Sequence, residues 1–281
     1  MEIKIAALQY RYDFPSDFEH YRKKIVHLVE EQAKQGTQLL LFPEYAGLEM
    51  LSFANLEKLQ DDLPRYLELF QELSQKHAMH ICSGTHLPKT KEGTFNRAYL
   101  FAPNGKVGFQ DKCVLTPYEL NEGILSKGHT HRVFDTALGK IGICVCYDIE
   151  FPAFAQALVE QGAKILLVPS YTSSVHGFYR VFLSCRARAL ENQCYVVQSA
   201  LVGQTDVETA YGASSIASPV DDGFPEDGLI ALGTRDRVEA VLGVVELGRL
   251  EEARAKGQTR NLHDRTALKE RKISTELLNL R

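Results

Sequence analysis

Two cysteines stand one residue apart in GICVCYDIEFP, residues 142–152. Side chains alternate across a strand, so Gly142, Cys144 and Cys146 are expected on one face. Cys144 lies between Ile143 and Val145, where a packed and inert thiol is expected. Cys146 lies at the exit of the run, followed by Tyr147 and Asp148, where a substrate could reach it. A free thiol with a pKa of about 8.5 is only a few per cent thiolate at neutral pH. As a nucleophile, Cys146 would need a carboxylate to take its proton and an ammonium to stabilise the thiolate and a later oxyanion. Glu44, ending LLLFPE, and Lys112, ending KVGFQDK, are candidates for these roles. Each has a plainer reading: a solvated strand-end charge, a surface lysine and a core thiol. Together Glu, Lys and Cys form an acyl-transfer set that needs neither histidine nor metal. Their spacing alone does not prove that they meet.

The elements that would position them alternate along the chain. KIAALQY (4–10) reads as a strand. A capping box from Ser16 to Glu19 is expected to open a helix carrying Phe18, Tyr21, Ile25 and Leu28 on one face, with Gly36 as its stop. The nearly all-apolar run 37–44 reads as a strand buried on both faces. A second amphipathic helix carries Leu63, Tyr66, Leu67, Phe70 and Leu73, and a strand follows over 79–86. Asn104-Gly105 then marks one hairpin and Gly139 another. Pro152 opens a helix. Beyond it come a strand over 164–170, a helix over about 177–191, the strand CYVVQSALVG, and strands over 211–217 and 239–246. Two facing sheets with helices outside them fit this mixture. The stretch 220–228 reads as a loop, and one domain over 1–281 is expected, with 253–281 as a C-terminal tail.

Composition excludes several roles. The net charge of −4 offers nothing to nucleic acid or an anionic membrane. The tail is locally basic, with eight Lys/Arg against three Asp/Glu from Ala253 onward, and reads as a solvated or interface segment. No apolar run approaches the roughly 18 residues of a membrane span. MEIKIAALQY is strand-like and lacks the parts of a signal peptide, so a cytoplasmic protein is expected. Its six cysteines are then expected as thiols. Without CxxC or HExxH, no metal and no cofactor is expected. A redox or metal role for the CVC pair stands as the alternative.

LLLFPE, QDKCVLTPYE and GICVCYD, in this order, resemble the Glu-Lys-Cys segments of the nitrilase superfamily of carbon–nitrogen hydrolases. RARALENQCYVV (186–197) resembles that superfamily's helix and strand after the nucleophile. The likeness runs from KIAALQ to about residue 246, and four short motifs in order make it specific. It implies an α/β fold, a four-layer α-β-β-α sandwich, usually paired through helices into a homodimer or higher homo-oligomer. It implies Cys146 as nucleophile, Glu44 as general base and Lys112 as oxyanion stabiliser, with the Tyr147 backbone N–H as a second oxyanion donor. Glu119 matches a second glutamate that positions lysine and substrate; its plainer reading is a loop charge. Arg188 and Glu191 are expected to be structural. The implied reaction is hydrolysis of a small-molecule amide through a thioester. A soluble acyltransferase with the same triad, or a catalytically silent binding protein of the same fold, are the alternatives.

The departures bear on substrate. Many members read C-x-D-x-R-F-P-E, whereas this chain reads CYDIEFPA, with Glu150 in place of arginine and Ala153 in place of glutamate. Relatives that hold a substrate carboxylate use arginines where Ile149 and Glu150 stand. Glu150 would repel a carboxylate, so a neutral or cationic substrate is expected, unless Arg180, Arg186 or Arg188 pairs with it. True nitrilases usually carry tryptophan where Tyr147 stands, and this chain has none, so an amidase is expected rather than a nitrilase. The branch most like this chain includes predicted amidohydrolases fused to an acetyltransferase domain; no such fusion is expected here. Loops 45–56, 117–130 and 171–179 are expected to shape the pocket, with Tyr45, Tyr118, Tyr171 and His176 as candidate walls.

Overall fold

The computed structural model describes residues 1–271. Strand β1 (Glu2–Tyr10) and helix α1 (Phe18–Lys34) open the chain, followed by β2 (Leu39–Leu41), α2 (Leu56–Asp61) and α3 (Leu63–Lys76). Next come β3 (His80–His86), the short ribbon β4 (Lys89–Thr90) and β5 (Gly93–Thr94), and the hairpin β6 (Arg97–Phe101) and β7 (Val107–Asp111). After α4 (Pro117–Glu122), a second hairpin pairs β8 (Val133–Thr136) with β9 (Gly139–Ile143). Then follow α5 (Pro152–Glu160), β10 (Ile165–Ser170), α6 (Val175–Asn192) and β11 (Tyr195–Leu201). The chain continues through a ribbon of β12 (Gly203–Gln204) and β13 (Thr209–Ala210) to β14 (Ser215–Ala217), β15 (Leu229–Leu232) and β16 (Glu239–Glu246). Helices α7 (Leu247–Lys256) and α8 (Asn261–Glu270) complete the described chain.

Twelve of these strands form one hydrogen-bonded array that folds into two facing sheets. One runs β16-β1-β2-β3-β6-β7 and the other β8-β9-β10-β11-β14-β15. Among the described residues they join only where β1 meets β11, through Gln9 opposite Ala200 and Tyr10 opposite Leu201. Between them lies an apolar core that takes Ile3, Ile5, Leu39 and Leu41 from the first sheet and Ile141, Ile143, Leu167 and Val197 from the second. Outside the first sheet, Tyr21 and Ile25 of α1 and Tyr66 and Phe70 of α3 cover Leu40, Phe42, Ile81 and Phe101. Outside the second, Phe154 and Leu158 of α5 and Val181 and Cys185 of α6 cover Leu166 and Val168. The result is the α-β-β-α order expected. Each buried Ile, Leu or Phe contributes about 1.5–3 kcal/mol, so the layered burial sets the register of every strand.

Most expected elements form, with boundary changes that have local causes. The expected capping box does not open α1. Asp17 is the N-cap, and its carboxylate accepts from the His20 N–H at 2.8 Å. The run 37–44 is a strand only over Leu39–Leu41, because Pro43 has no N–H to give a ladder and Tyr45 turns left-handed at φ +63°. The expected tail is helical through α7 and α8, with residues 272–281 outside the described residues. Gly84 is required where it stands: at φ +71°, a Cβ there would lie 2.0 Å from the Pro43 carbonyl oxygen. Only glycine lets β3, bulged between Cys82 and Thr85, press against the exit of β2 that leads to Glu44.

Candidate active site

Four strand ends converge on one cavity of about 640 Å³. Glu44 follows β2, Lys112 follows β7, Cys146 follows β9 and Tyr171 follows β10. Two of these strands belong to each sheet, so the site sits across the sandwich, where strand ends leave backbone and side chains unpaired.

At the floor, the Lys112 ammonium donates to the Glu44 and Glu119 carboxylates, each at 2.8 Å. All three side chains are buried. Asn96 reinforces this contact, its amide donating to the same oxygen of Glu44 at 2.8 Å and of Glu119 at 3.3 Å. The other Glu119 oxygen accepts from the Thr116 N–H at 2.7 Å and hydroxyl at 2.9 Å, closing a capping box that opens α4. The Tyr45 hydroxyl donates to Glu119 at 2.7 Å. The other oxygen of Glu44 accepts from the Tyr171 N–H at 3.0 Å.

Cys146 reaches the same cavity by a route that strand alternation does not describe. Strand β9 stops at Ile143, and Cys144 completes its pairing by donating its N–H to Leu167. Cys146 then turns left-handed, at φ +46°, at the start of a 3₁₀ turn over Cys146–Glu150. A non-glycine residue in that region is strained, and such strain tends to collect at functional sites. The turn separates the two cysteines: Cys144 is buried near Cys185 of α6, on the helix side of its sheet, while Cys146 lines the cavity. The Cys146 thiol donates to the Tyr171 carbonyl at 3.3 Å. The peptide units at Tyr171 thus touch both the thiol and Glu44.

The charges divide the two carboxylates. Burial pushes Glu44 upward, Lys112 opposes it, and the charge of Glu119 adds to the rise; the net shift is up. Glu119 is held below its usual range, because Lys112 and hydrogen bonds from Thr116 and Tyr45 outweigh burial. For Lys112, burial works against the charge, but Glu44, Cys146 and Glu119 raise its pKa. Burial and the Glu44 charge push the Cys146 thiol well above its ordinary value, against Lys112. The resting site therefore pairs a charged lysine with an intact thiol, and Glu119 is the carboxylate held as the anion.

Asp148 ties two of the strand ends together. Its carboxylate accepts from the Val114 N–H at 2.8 Å, the Cys113 N–H at 3.2 Å and the Val145 N–H at 3.1 Å. It thus links the residues after Lys112 to the residue before Cys146. Burial pushes its pKa up to about 7, against those three hydrogen bonds and Lys112.

Of the other expected residues, Tyr45, Tyr118, Tyr147, Glu150 and Tyr171 line the cavity. His176 does not line it; it is exposed on the first turn of α6. Glu150 meets Arg180 at 3.5 Å. Arg188 donates instead to the carbonyls of Ile149 and Glu150 and pairs with Glu191, bracing the turn from beneath. Asn96, Asp148 and Glu208 were absent from the expected set. The T-x-x-E pattern of Thr116 and Glu119 is a legible capping signature. Asn96 carries no comparable signal, since its role depends on a partner 52 residues away.

The chain compares with known proteins as follows. A family model described as carbon–nitrogen hydrolase matches residues 4–220. A Bacillus subtilis protein named as a probable hydrolase, YhcX, is 33% identical over 94% of this chain. The chain spans 53% of that relative, about half its length. The Xenopus laevis omega-amidase NIT2-B is 28% identical, over 70% of this chain and 74% of the relative. Saccharomyces cerevisiae Nit3, described as a member of branch 10 of the nitrilase superfamily, superposes with a TM-score of 0.75 at 22% identity. That match covers 90% of this chain and 93% of the other, and it speaks to the fold alone.

The Asp148 contacts generate a test. Asp148→Ala strands three backbone N–H groups in the interior, each costing about 1–3 kcal/mol. The variant is expected to lose about 3 kcal/mol or more in urea unfolding. Stability within about 0.5 kcal/mol of the parent protein would contradict the link drawn here.

Proposed function

The chain belongs to the carbon–nitrogen hydrolase family, and on that premise we propose that it is a cysteine-dependent amidase cleaving a small non-peptide amide. The observation that carries this reading is the contact of Lys112 with both Glu44 and Glu119, at 2.8 Å each, in the floor of the cavity that Cys146 lines. The amidase name of the Xenopus relative supports the choice of bond.

In the proposed reaction, Cys146 attacks the amide carbonyl carbon. Its proton passes to Glu44, a C–S bond forms, and the carbonyl electron pair moves onto oxygen. The Lys112 ammonium and the Tyr147 N–H hold that oxyanion. Collapse breaks the C–N bond, the nitrogen takes the proton from Glu44, and ammonia or an amine leaves a thioester. Water then attacks the thioester, giving a proton to Glu44. The C–S bond breaks as the thiol recovers that proton, and the carboxylic acid is released. Glu119 holds Lys112 and, through its depressed pKa, remains a carboxylate throughout.

No helix of the described residues is long and apolar enough to cross a membrane. The reading places the protein in the cytoplasm as a homodimer or higher homo-oligomer. The exposed apolar row Tyr179, Leu183 and Leu190 on α6 supports pairing through that helix. Sedimentation equilibrium is expected to give at least twice the mass of one chain; a single-chain mass would overturn the pairing.

Two measurements test the chemistry. Cys146→Ala is expected to fold and to release no ammonia from an amide panel, while the parent protein gains one acyl mass on Cys146 during turnover. Undiminished turnover by the variant would overturn the assignment. The pH dependence follows from Glu44, which must be ionised to accept the thiol proton. Its raised pKa means that kcat/KM falls with acid through a limb lying above the ordinary glutamate value of about 4.3. Below that limb Glu44 is protonated and cannot act as base; above it Lys112 stays charged and the rate levels. An acid limb at or below the ordinary glutamate value would contradict Glu44 as the base.

A further inference from the structure

A second cavity of about 280 Å³ lies beside the first. The two share Tyr45, Tyr118, Glu119, Tyr171, Val207 and Glu208 as lining residues. The partition is built from tyrosines held in place. Tyr45 and Tyr171 meet edge to face, with ring centres 5.7 Å apart. Their hydroxyls donate to Glu119 and Glu208, each at 2.7 Å. Behind them, the Tyr12 hydroxyl donates to the Tyr45 carbonyl at 2.6 Å. Val207 and Tyr118 are 72% and 64% exposed, which places them at the mouths where an arm could pass from one cavity to the other.

The chemistry of the second cavity differs from that of the first. Leu48, Leu51, Leu87, Leu125 and Leu201 give it an aliphatic lining, and Leu56 and Ile124 extend that surface to solvent. Glu122, Asp206 and Glu208 contribute carboxylates, and no lysine or arginine is among its described lining residues. A mostly apolar concavity with a few polar groups is the usual form of a small-molecule site. Leu87 and Leu201 are buried in the apolar cluster outside the first sheet, while Leu48, Leu51 and Leu125 pack against it and stay only half-buried, leaving apolar surface facing the cavity.

We propose that this second cavity receives the remote arm of the substrate, and that the arm is aliphatic and ends in a neutral or cationic group. The inference rests on the amidase reading and deepens it by naming the substrate class: amides with an apolar chain of about four or more carbons that carries no terminal carboxylate. The wall shared with the catalytic cavity, with Tyr118 and Val207 exposed on it, identifies the occupant as an arm of the molecule bound there. The aliphatic lining requires an apolar chain, and the carboxylates repel an anionic end.

The test compares acetamide with hexanamide, and hexanamide with chains of similar length ending in an ammonium or a carboxylate, by ammonia release. Hexanamide is expected to exceed acetamide at least about tenfold in kcat/KM, the gain from burying added methylenes. The ammonium-ended chain is expected to retain that gain and the carboxylate-ended chain to lose it. Leu48→Trp and Leu125→Trp, which fill the cavity, are expected to lower the hexanamide-to-acetamide ratio about tenfold. Ratios within about twofold of one, or preference for the carboxylate, would overturn the inference while leaving the amidase reading intact. Calorimetric binding of the same amides to Cys146→Ala separates the two claims. If no amide is turned over but hexanamide binds more tightly than acetamide, and Leu48→Trp abolishes the difference, the activity fails and the cavity assignment stands. Binding that is indifferent to chain length overturns the cavity assignment.

Discussion

One buried ammonium held between two buried carboxylates is the constraint from which the rest of the site follows. Taking an ion into a protein interior costs several kcal/mol, and the cost is recovered only where geometry and further hydrogen bonds are good. Lys112 meets Glu44 and Glu119 at 2.8 Å, so one cation serves two carboxyl groups. Two carboxylates facing one cation cannot share it equally if they are to do different work. Glu119 takes extra donors from Thr116 and Tyr45 and is stabilised as the anion. Glu44 has fewer charge-stabilising contacts and is pushed up by burial, with its neighbour's charge adding to the rise. In the proposed reaction, this asymmetry makes Glu119 the fixed counter-ion and Glu44 the group that takes and returns a proton.

Holding that trio next to a thiol requires chains to leave their strands sharply. Tyr45 and Cys146 both adopt left-handed backbone, each beside or at a residue of the site. A left-handed non-glycine residue costs on the order of 1–3 kcal/mol, so each turn persists only because its surroundings fix it. For Tyr45, the fixing contacts are the Thr85 hydroxyl on its N–H and the Tyr12 hydroxyl on its carbonyl. For Cys146, they are Asp148 on the preceding N–H and Arg188 on the carbonyls that follow. Buried charges thus appear twice: once at the reacting groups, and once beneath the turns that aim them.

What was legible in the sequence was what local pattern encodes. Apolar runs ending in Glu44, Lys112 and Cys146 marked strand exits, and alternation of strand and helix implied the layers. Alternation also misled, because it placed Cys144 and Cys146 on one face; a 3₁₀ turn with a positive φ intervenes, and no propensity announces it. Asn96 and the Tyr171 backbone were invisible because their roles exist only through contacts made across the sandwich. Residues of the loops 45–56, 117–130 and 171–179 line the cavity, and Glu208 joins them from the turn between β12 and β13, which carries no chemical motif.

Glu150 shows how an electrostatic argument from sequence changes once distances are known. Read alone, it gave the substrate site a negative charge where relatives carry arginine. In the fold, Arg180 stands 3.5 Å from it and is itself 61% exposed, so the pair is loose and largely screened. Its repulsion of an anionic substrate is correspondingly weakened. Glu208 adds a second carboxylate, exposed to solvent, whose described side-chain partner is the neutral hydroxyl of Tyr171 and which lines both cavities. The negative charge around the cavity thus comes from two places, Glu208 between β12 and β13 and Glu150 on the turn that follows Cys146, and under the proposed reading both disfavour an anionic substrate.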